Sequence, residues 1–212
     1  MTRALAAALT ALALSATAAA GASRADALAA LTASDVEARR LGASALSETG
    51  TMADAPALVR ALRDPDAQVR RLAEAALWAV WSRSGDDAID DILAIGVGQM
   101  RGGQLEASVE TFSEIIRRRP DFAEGWNKRA TAYYLLGEWR RSAADCEEVL
   151  RRNPQHFGAL SGYGMIWLQL DEPARALERF EQALAVNPNL ESVQTTADAL
   201  RALLIKQRRE AI

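Results

Sequence analysis

The stretch AEGWNKRATAYYLLGEWRRSAADCEEVLRRNP, residues 123–154, decides the fold. Trp126, Ala130 and Tyr133 fall at the i, i+4, i+7 spacing of one helix face. Gly137 interrupts that run with a turn signal, and Ser142, Cys146 and Val149 resume the spacing on a second helix. Pro154 closes the second helix, because it has no N–H with which to continue a helix interior. The stretch therefore reads as two antiparallel helices joined by a short turn.

The same pattern recurs on either side. Pro120, Pro154 and Pro188 lie 34 residues apart and divide the chain into units 89–122, 123–156 and 157–190. The eighth position of each unit is small (Gly96, Ala130, Gly164), and so is the twentieth (Ser108, Ser142, Ala176). Phe112, Cys146 and Phe180 stand at the twenty-fourth position, and turn residues Gly103, Gly137 and Asp171 at the fifteenth. Small residues let the two helices of a pair approach closely, and larger ones fill the space toward the next pair. One hairpin cannot bury its apolar faces alone, so the units must stack into a continuous core. The expected fold class is all-α, a right-handed α-solenoid superhelix of stacked antiparallel helix pairs.

On these residues the region 87–190 resembles three tetratricopeptide repeats. Trp126, Ala130, Tyr133, Gly137 and Pro154 match the family's tryptophan, small residue, tyrosine, turn glycine and terminal proline. The first unit departs with Ile92 and Gln99, and the third with Leu160 and Trp167, at the two aromatic places. The resemblance implies that the first helix of each pair lines a concave face with its second, fifth, ninth, twelfth and thirteenth residues. Those positions supply Leu93, Val97 and Met100 in the first repeat, and Asn127, Thr131, Tyr134 and Leu135 in the second. The third supplies Ser161, Met165 and Leu168. Relatives that clamp a peptide's carboxylates use lysine, arginine and asparagine there. This chain keeps Asn127 but has Leu93, Thr131 and Ser161 at other comparable places, so the set describes a groove for an apolar or helical peptide segment.

A second periodicity precedes the repeats. LTASDVEARRLGASAL at 31–46 aligns without gaps on LRDPDAQVRRLAEAAL at 62–77, an offset of 31 residues. Ser34 or Asp35 can cap one second helix, and Asp64-Pro65-Asp66 can begin the other. The region 24–85 resembles two HEAT repeats, which implies an aspartate–arginine ladder between neighbours, and locally Asp66 and Arg70 are spaced to pair along one helix. Trp78 and Trp81 share a helix face and suit the junction with the 34-residue units, so one rod is expected. Residues 191–210 read as a capping helix, with Leu200, Leu203 and Leu204 turned inward.

The N-terminus differs from the rest. Arg3, an apolar run from Ala4 to Leu14 and small residues ending at Ala20 follow the order of a secretory signal peptide, residues 1–20. No later segment holds eighteen apolar residues in a row, so stable membrane insertion is not expected after its removal. The formal net charge is −3 and basic runs are short, which gives no footprint for nucleic acid. One cysteine and one histidine supply neither a disulfide nor a metal-ligand set, and no cofactor loop is present. Cys146 reads as a small core residue. His156 with Ser161 lacks an orienting carboxylate, so no catalytic group is assigned.

The expectation is a non-enzymatic scaffold, periplasmic or secreted, that binds a protein or peptide partner in its concave groove. The alternative is a structural or assembly role through the convex face, or regulation of an envelope enzyme.

Overall fold

A computed structural model describes residues 23–210, so the leader-like residues 1–20 lie outside the described residues. The chain forms α1 (Arg24–Ala30), α2 (Val36–Thr49), a 3₁₀ turn (Met52–Asp54), α3 (Ala55–Ala61) and α4 (Ala67–Trp81). There follow α5 (Asp87–Arg101), α6 (Leu105–Arg118), α7 (Ala123–Leu135), α8 (Trp139–Arg152), α9 (Phe157–Gln169), α10 (Pro173–Val186) and α11 (Glu191–Glu210). Among the described residues there is no strand. The architecture is an α-solenoid superhelix.

The pairs α5/α6, α7/α8 and α9/α10 are the three hairpins that the 34-residue period predicts. Gly103 and Gly137 turn each pair with φ of 75° and 76°, a region in which a Cβ is strained. Asp171 makes the same turn in the third pair at φ 58°, a conformation that a short polar side chain tolerates better than most. Close approach within a pair depends on Gly96 and Gly164. A Cβ added there would lie 2.4 Å from the Phe112 ring and 2.5 Å from the Phe180 ring. In the middle pair the places of glycine and phenylalanine are taken by Ala130 and Cys146, both buried. The hydroxyl of Ser142 donates to the Ala130 carbonyl at 2.7 Å, which satisfies a polar group in that close contact.

In the N-terminal unit α1 pairs with α2, α3 with α4, and α2 packs on α4. Asp35 accepts the Ala38 N–H at 2.8 Å, and Asp66 the Val69 N–H at 2.9 Å, so both copies are capped alike. The ionic pairing runs between the copies. Arg39 holds Asp64 through Nε–Oδ2 at 2.7 Å and Nη2–Oδ1 at 3.1 Å. Arg40 holds Asp66 through Nη2–Oδ2 at 2.7 Å and Nε–Oδ1 at 3.0 Å. The local Asp66–Arg70 pair that the spacing suggests does not form. Arg70 donates instead to the carbonyls of Asp64 and Pro65. A bidentate partner across the helix interface outcompetes a neighbour four residues along the same helix.

The N-terminal unit does not extend the rod beyond the first repeat. It folds back onto the third. Trp81 and Phe157 share one buried cluster with Leu58, Leu62 and Leu77, and Trp78, Val186 and Leu190 border it. Arg63 donates to the carbonyls of Ala185 and Val186, Asn189 to the Leu62 carbonyl at 2.8 Å, and Asn187 to Glu74 at 3.1 Å. The cause is aromatic burial. Trp78 meets Phe157 edge-on at 5.2 Å, over the bare backbone of Gly158.

Candidate peptide-binding face

The first helices α5, α7 and α9 lie side by side and present the inward positions. Their side chains fall into two groups. Leu93 and Asn127 are buried, and Val97 and Met100 pack against the core of the first repeat. Leu93 and Asn127, expected in the groove, are turned into the interior, while Val97 and Met100 stay half-buried at its first-repeat end. Thr131, Leu135 and Met165 are exposed, with Tyr134, Ser161 and Leu168 half-buried beside them. The hydroxyls of Thr131 and Ser161 donate back to the Asn127 and Phe157 carbonyls, so what they offer outward is mostly apolar. Tyr134 is held by Trp139, with ring centroids 5.0 Å apart. Tyr134, Thr131, Asn127, Gly158 and Gly162 line a recess of about 70 Å³.

One edge of the inward face is already occupied by the chain itself. Trp81 stacks on the His156 ring at 4.4 Å, and Trp78 meets that ring edge-on at 5.5 Å. His156 caps α9 by accepting the Ala159 N–H at Nδ1, 3.1 Å. That bond assigns the ring proton to Nε2, which lies 3.1 Å from Glu124 Oε2. Asn127 also donates to Oε2, at 3.0 Å, and Lys128 Nζ lies 2.8 Å from Oε1 as an ion pair without hydrogen-bond alignment. Burial pulls the Glu124 carboxyl upward, but the bond from His156, with the charges around it, outweighs that pull and holds it below its ordinary value. The Asn127 amide N–H is therefore committed to Glu124. Its sequence signal was weak, whereas Gly158, where the other repeats have Asp90 and Glu124, marks the place of close approach.

Among the described residues no group of three or more His, Cys, Asp or Glu side chains is arranged to hold a metal ion. Burial, with Asp145 and Glu147 beside it, pushes the Cys146 thiol up to about 12, so it is not a nucleophile at neutral pH. None of the described helices is long and apolar enough to cross a membrane.

The tetratricopeptide repeat model matches residues 93–156 and 128–191. A TPR repeat-containing protein of Rhizobium etli is 32% identical over 146 residues, which is 69% of this chain and 71% of that protein. That alignment is longer than the three repeats together, so it extends outside them. Hsp70-Hsp90 organizing protein 3 of Arabidopsis thaliana is 26% identical over 93 residues, 44% of this chain but only 17% of that protein. The solved Sgt2 TPR domain from Aspergillus fumigatus superimposes with a TM-score of 0.55 at 17% identity, covering 60% of this chain and 85% of that one. The first TPR of Spaghetti (RPAP3), bound to the HSP90 peptide SRMEEVD, gives 0.53 at 18% identity, covering 55% and 93%. The helix pairs and the similarity to the Rhizobium protein agree. The chain belongs to the tetratricopeptide repeat family.

Proposed function

We propose that this chain is a bacterial cell-envelope scaffold that binds a peptide or helix of a partner protein on its concave face. The observation that carries the reading is the uncovered inward set. Leu135 and Met165 are 53% and 38% exposed, next to Tyr134 and Leu168, on the face where helix pairs of this family are open. Large apolar and aromatic anchors at the centre of an interface tend to supply most of its binding energy. The order of charge, apolar run and small residues in 1–20 supports export to the periplasm or beyond. The 31-residue offset and the Arg39–Asp64 and Arg40–Asp66 pairs support a HEAT-like reading of 24–85.

The groove is tested by crosslinking in the native envelope with the wild type and Tyr134→Glu/Leu168→Glu side by side. Loss of partners from the variant, at unchanged helicity, is the expected result. Equal recovery by both would remove the concave face from consideration. Export is tested separately by intact mass, since a chain that keeps its first twenty residues in cells is not processed as proposed.

A further inference from the structure

A second recess lies away from the inward face, where the N-terminal unit meets the ends of the first and second repeats. Its volume is about 140 Å³. Three arginines from three different parts of the chain line it: Arg83 after α4, Arg119 after α6 and Arg152 at the end of α8. Asp121 is the only carboxylate among its lining residues. Asp121 beside Arg119 and the Glu148 carboxylate on Arg152 offset part of this charge, and the remainder favours a further negative group.

The hydrogen-bonding capacity of the wall points the same way. Trp81 Nε1 and Asn153 Nδ2 are buried and have no acceptor among the described residues. Asn153 Oδ1 accepts the Gln155 N–H at 3.2 Å, which fixes the unpartnered end of that side chain as the NH₂ donor. Buried donors left without acceptors are costly, and few persist in native proteins. Phe122 and Ala123 also line the recess, and there α7 begins without a side-chain cap. The first amides of a thirteen-residue helix favour negative charge.

Arg119 is the least committed of the three cations. Its bonds to Asp121 and to the Ser84 carbonyl are both 3.3 Å long. Arg83 is spent on the carbonyls of Ala79, Ser47 and Glu48, and Arg152 on the Pro120 and Glu148 carbonyls and in an ion pair with the Glu148 carboxylate, so Arg119 is the cation with the most to offer a ligand. The Asp121 carboxyl is held below its ordinary range by Arg119 first, with Arg152 adding to the same field.

We propose that this recess binds a small oxyanion, which bridges the N-terminal unit and the first two repeats. The anion takes its charge complement from Arg119 and the surrounding guanidiniums. Its oxygens supply the acceptors that the Trp81 indole and, after a slight turn of its amide, Asn153 lack. The shared chemistry is that of a phosphate or a carboxylate.

The test is a titration of the ¹⁵N-labelled protein with inorganic phosphate and, separately, with acetate, at pH 7 and constant ionic strength. The reporter is the indole N–H signal of Trp81, identified by its disappearance in Trp81→Phe. A saturable shift with phosphate alone assigns a tetrahedral anion, one with acetate alone a carboxylate, and either supports the site. Asn153→Asp keeps the acceptor for Gln155 but removes the donor, and Arg119→Glu reverses the most available charge. Each should weaken binding about tenfold or more, as expected for a lost charge-assisted bond. Should Asn153→Asp fail to fold, Arg119→Glu decides alone. No saturable shift with either anion, or an unchanged titration of Arg119→Glu, overturns the proposal.

Discussion

Cys146 and Ala130 occupy the places that Phe112 and Gly96 hold one repeat earlier, and Phe180 and Gly164 one repeat later. Where the second helix has a ring, the first gives up its Cβ. Where the second helix has a small thiol, the first can keep a methyl. Cys146→Phe should therefore overpack against Ala130 and cost about 1–3 kcal/mol by denaturant unfolding. Ala130→Gly/Cys146→Phe should recover most of that loss, a non-additivity that marks direct contact. Gly164→Leu has no such rescue, because the obstacle is the Phe180 ring that belongs there. The thiol itself gives a pH prediction. With its folded value pushed up to about 12 and an unfolded value of about 8.5, its contribution is complete below pH 8 and is lost as pH rises through that window. Thiol reagents should accordingly label the native protein only as fast as it opens. At Asp171 the left-handed turn strains any side chain, so Asp171→Gly should add a few tenths to about 1 kcal/mol of stability.

Helices were legible where their signals are local. The prolines, turn glycines and capping aspartates placed the three hairpins and both N-terminal second helices, because each acts within a turn of its own position. For Asp66 only the local reading failed: sequence spacing shows Arg70 four residues away, whereas Arg40 reaches across from α2, a pairing between copies that only the repeat resemblance implied. Arg24 holds Asp54 in the same bidentate way, Nε–Oδ2 at 2.6 Å and Nη2–Oδ1 at 2.7 Å, and the three N-terminal pairs have a shared consequence. Asp54 lies low chiefly through its bonds from Arg24, and Asp66 through those from Arg40. For Asp64 burial opposes the shift, and the Arg39 bond with its backbone partner prevails. Carboxyls depressed in the folded state stabilise it above their unfolded value of about 3.9, and that contribution is lost as pH falls through the lower folded values. The thermal midpoint should thus fall as pH is taken from 5 toward 2. Asp64→Asn/Asp66→Asn should start lower and lose less over the same range, and parallel slopes for the two proteins would show that these pairs do not govern acid sensitivity.

What the sequence did not disclose is where the N-terminal unit comes to rest. Its helices, its aromatic pair and the inward register of α9 could all be read, yet the expected rod has α4 at the head of the first repeat. The decisive feature is an absence, since Gly158 presents no side chain at a position where Asp90 and Glu124 stand in the other repeats. A Cβ built on Gly158 would lie 2.2 Å from the Trp78 ring, so the docked arrangement exists only while that position is bare. Burying Trp81 and Phe157 there also closes the Glu124–His156 end of the inward face, leaving Thr131, Tyr134, Leu135, Met165 and Leu168 as the part open to a partner. Docking and groove length are therefore coupled. Gly158→Val should lift α4 from α9 without disturbing either helix pair, because the added methyls point across the interface. Small-angle scattering should then show a larger radius of gyration at the same helicity, and tryptophan emission should move to longer wavelength as Trp78 and Trp81 meet water. A scattering profile identical to that of the wild type would mean that the polar bonds from Arg63, Asn187 and Asn189 hold the unit in place without the aromatic contact.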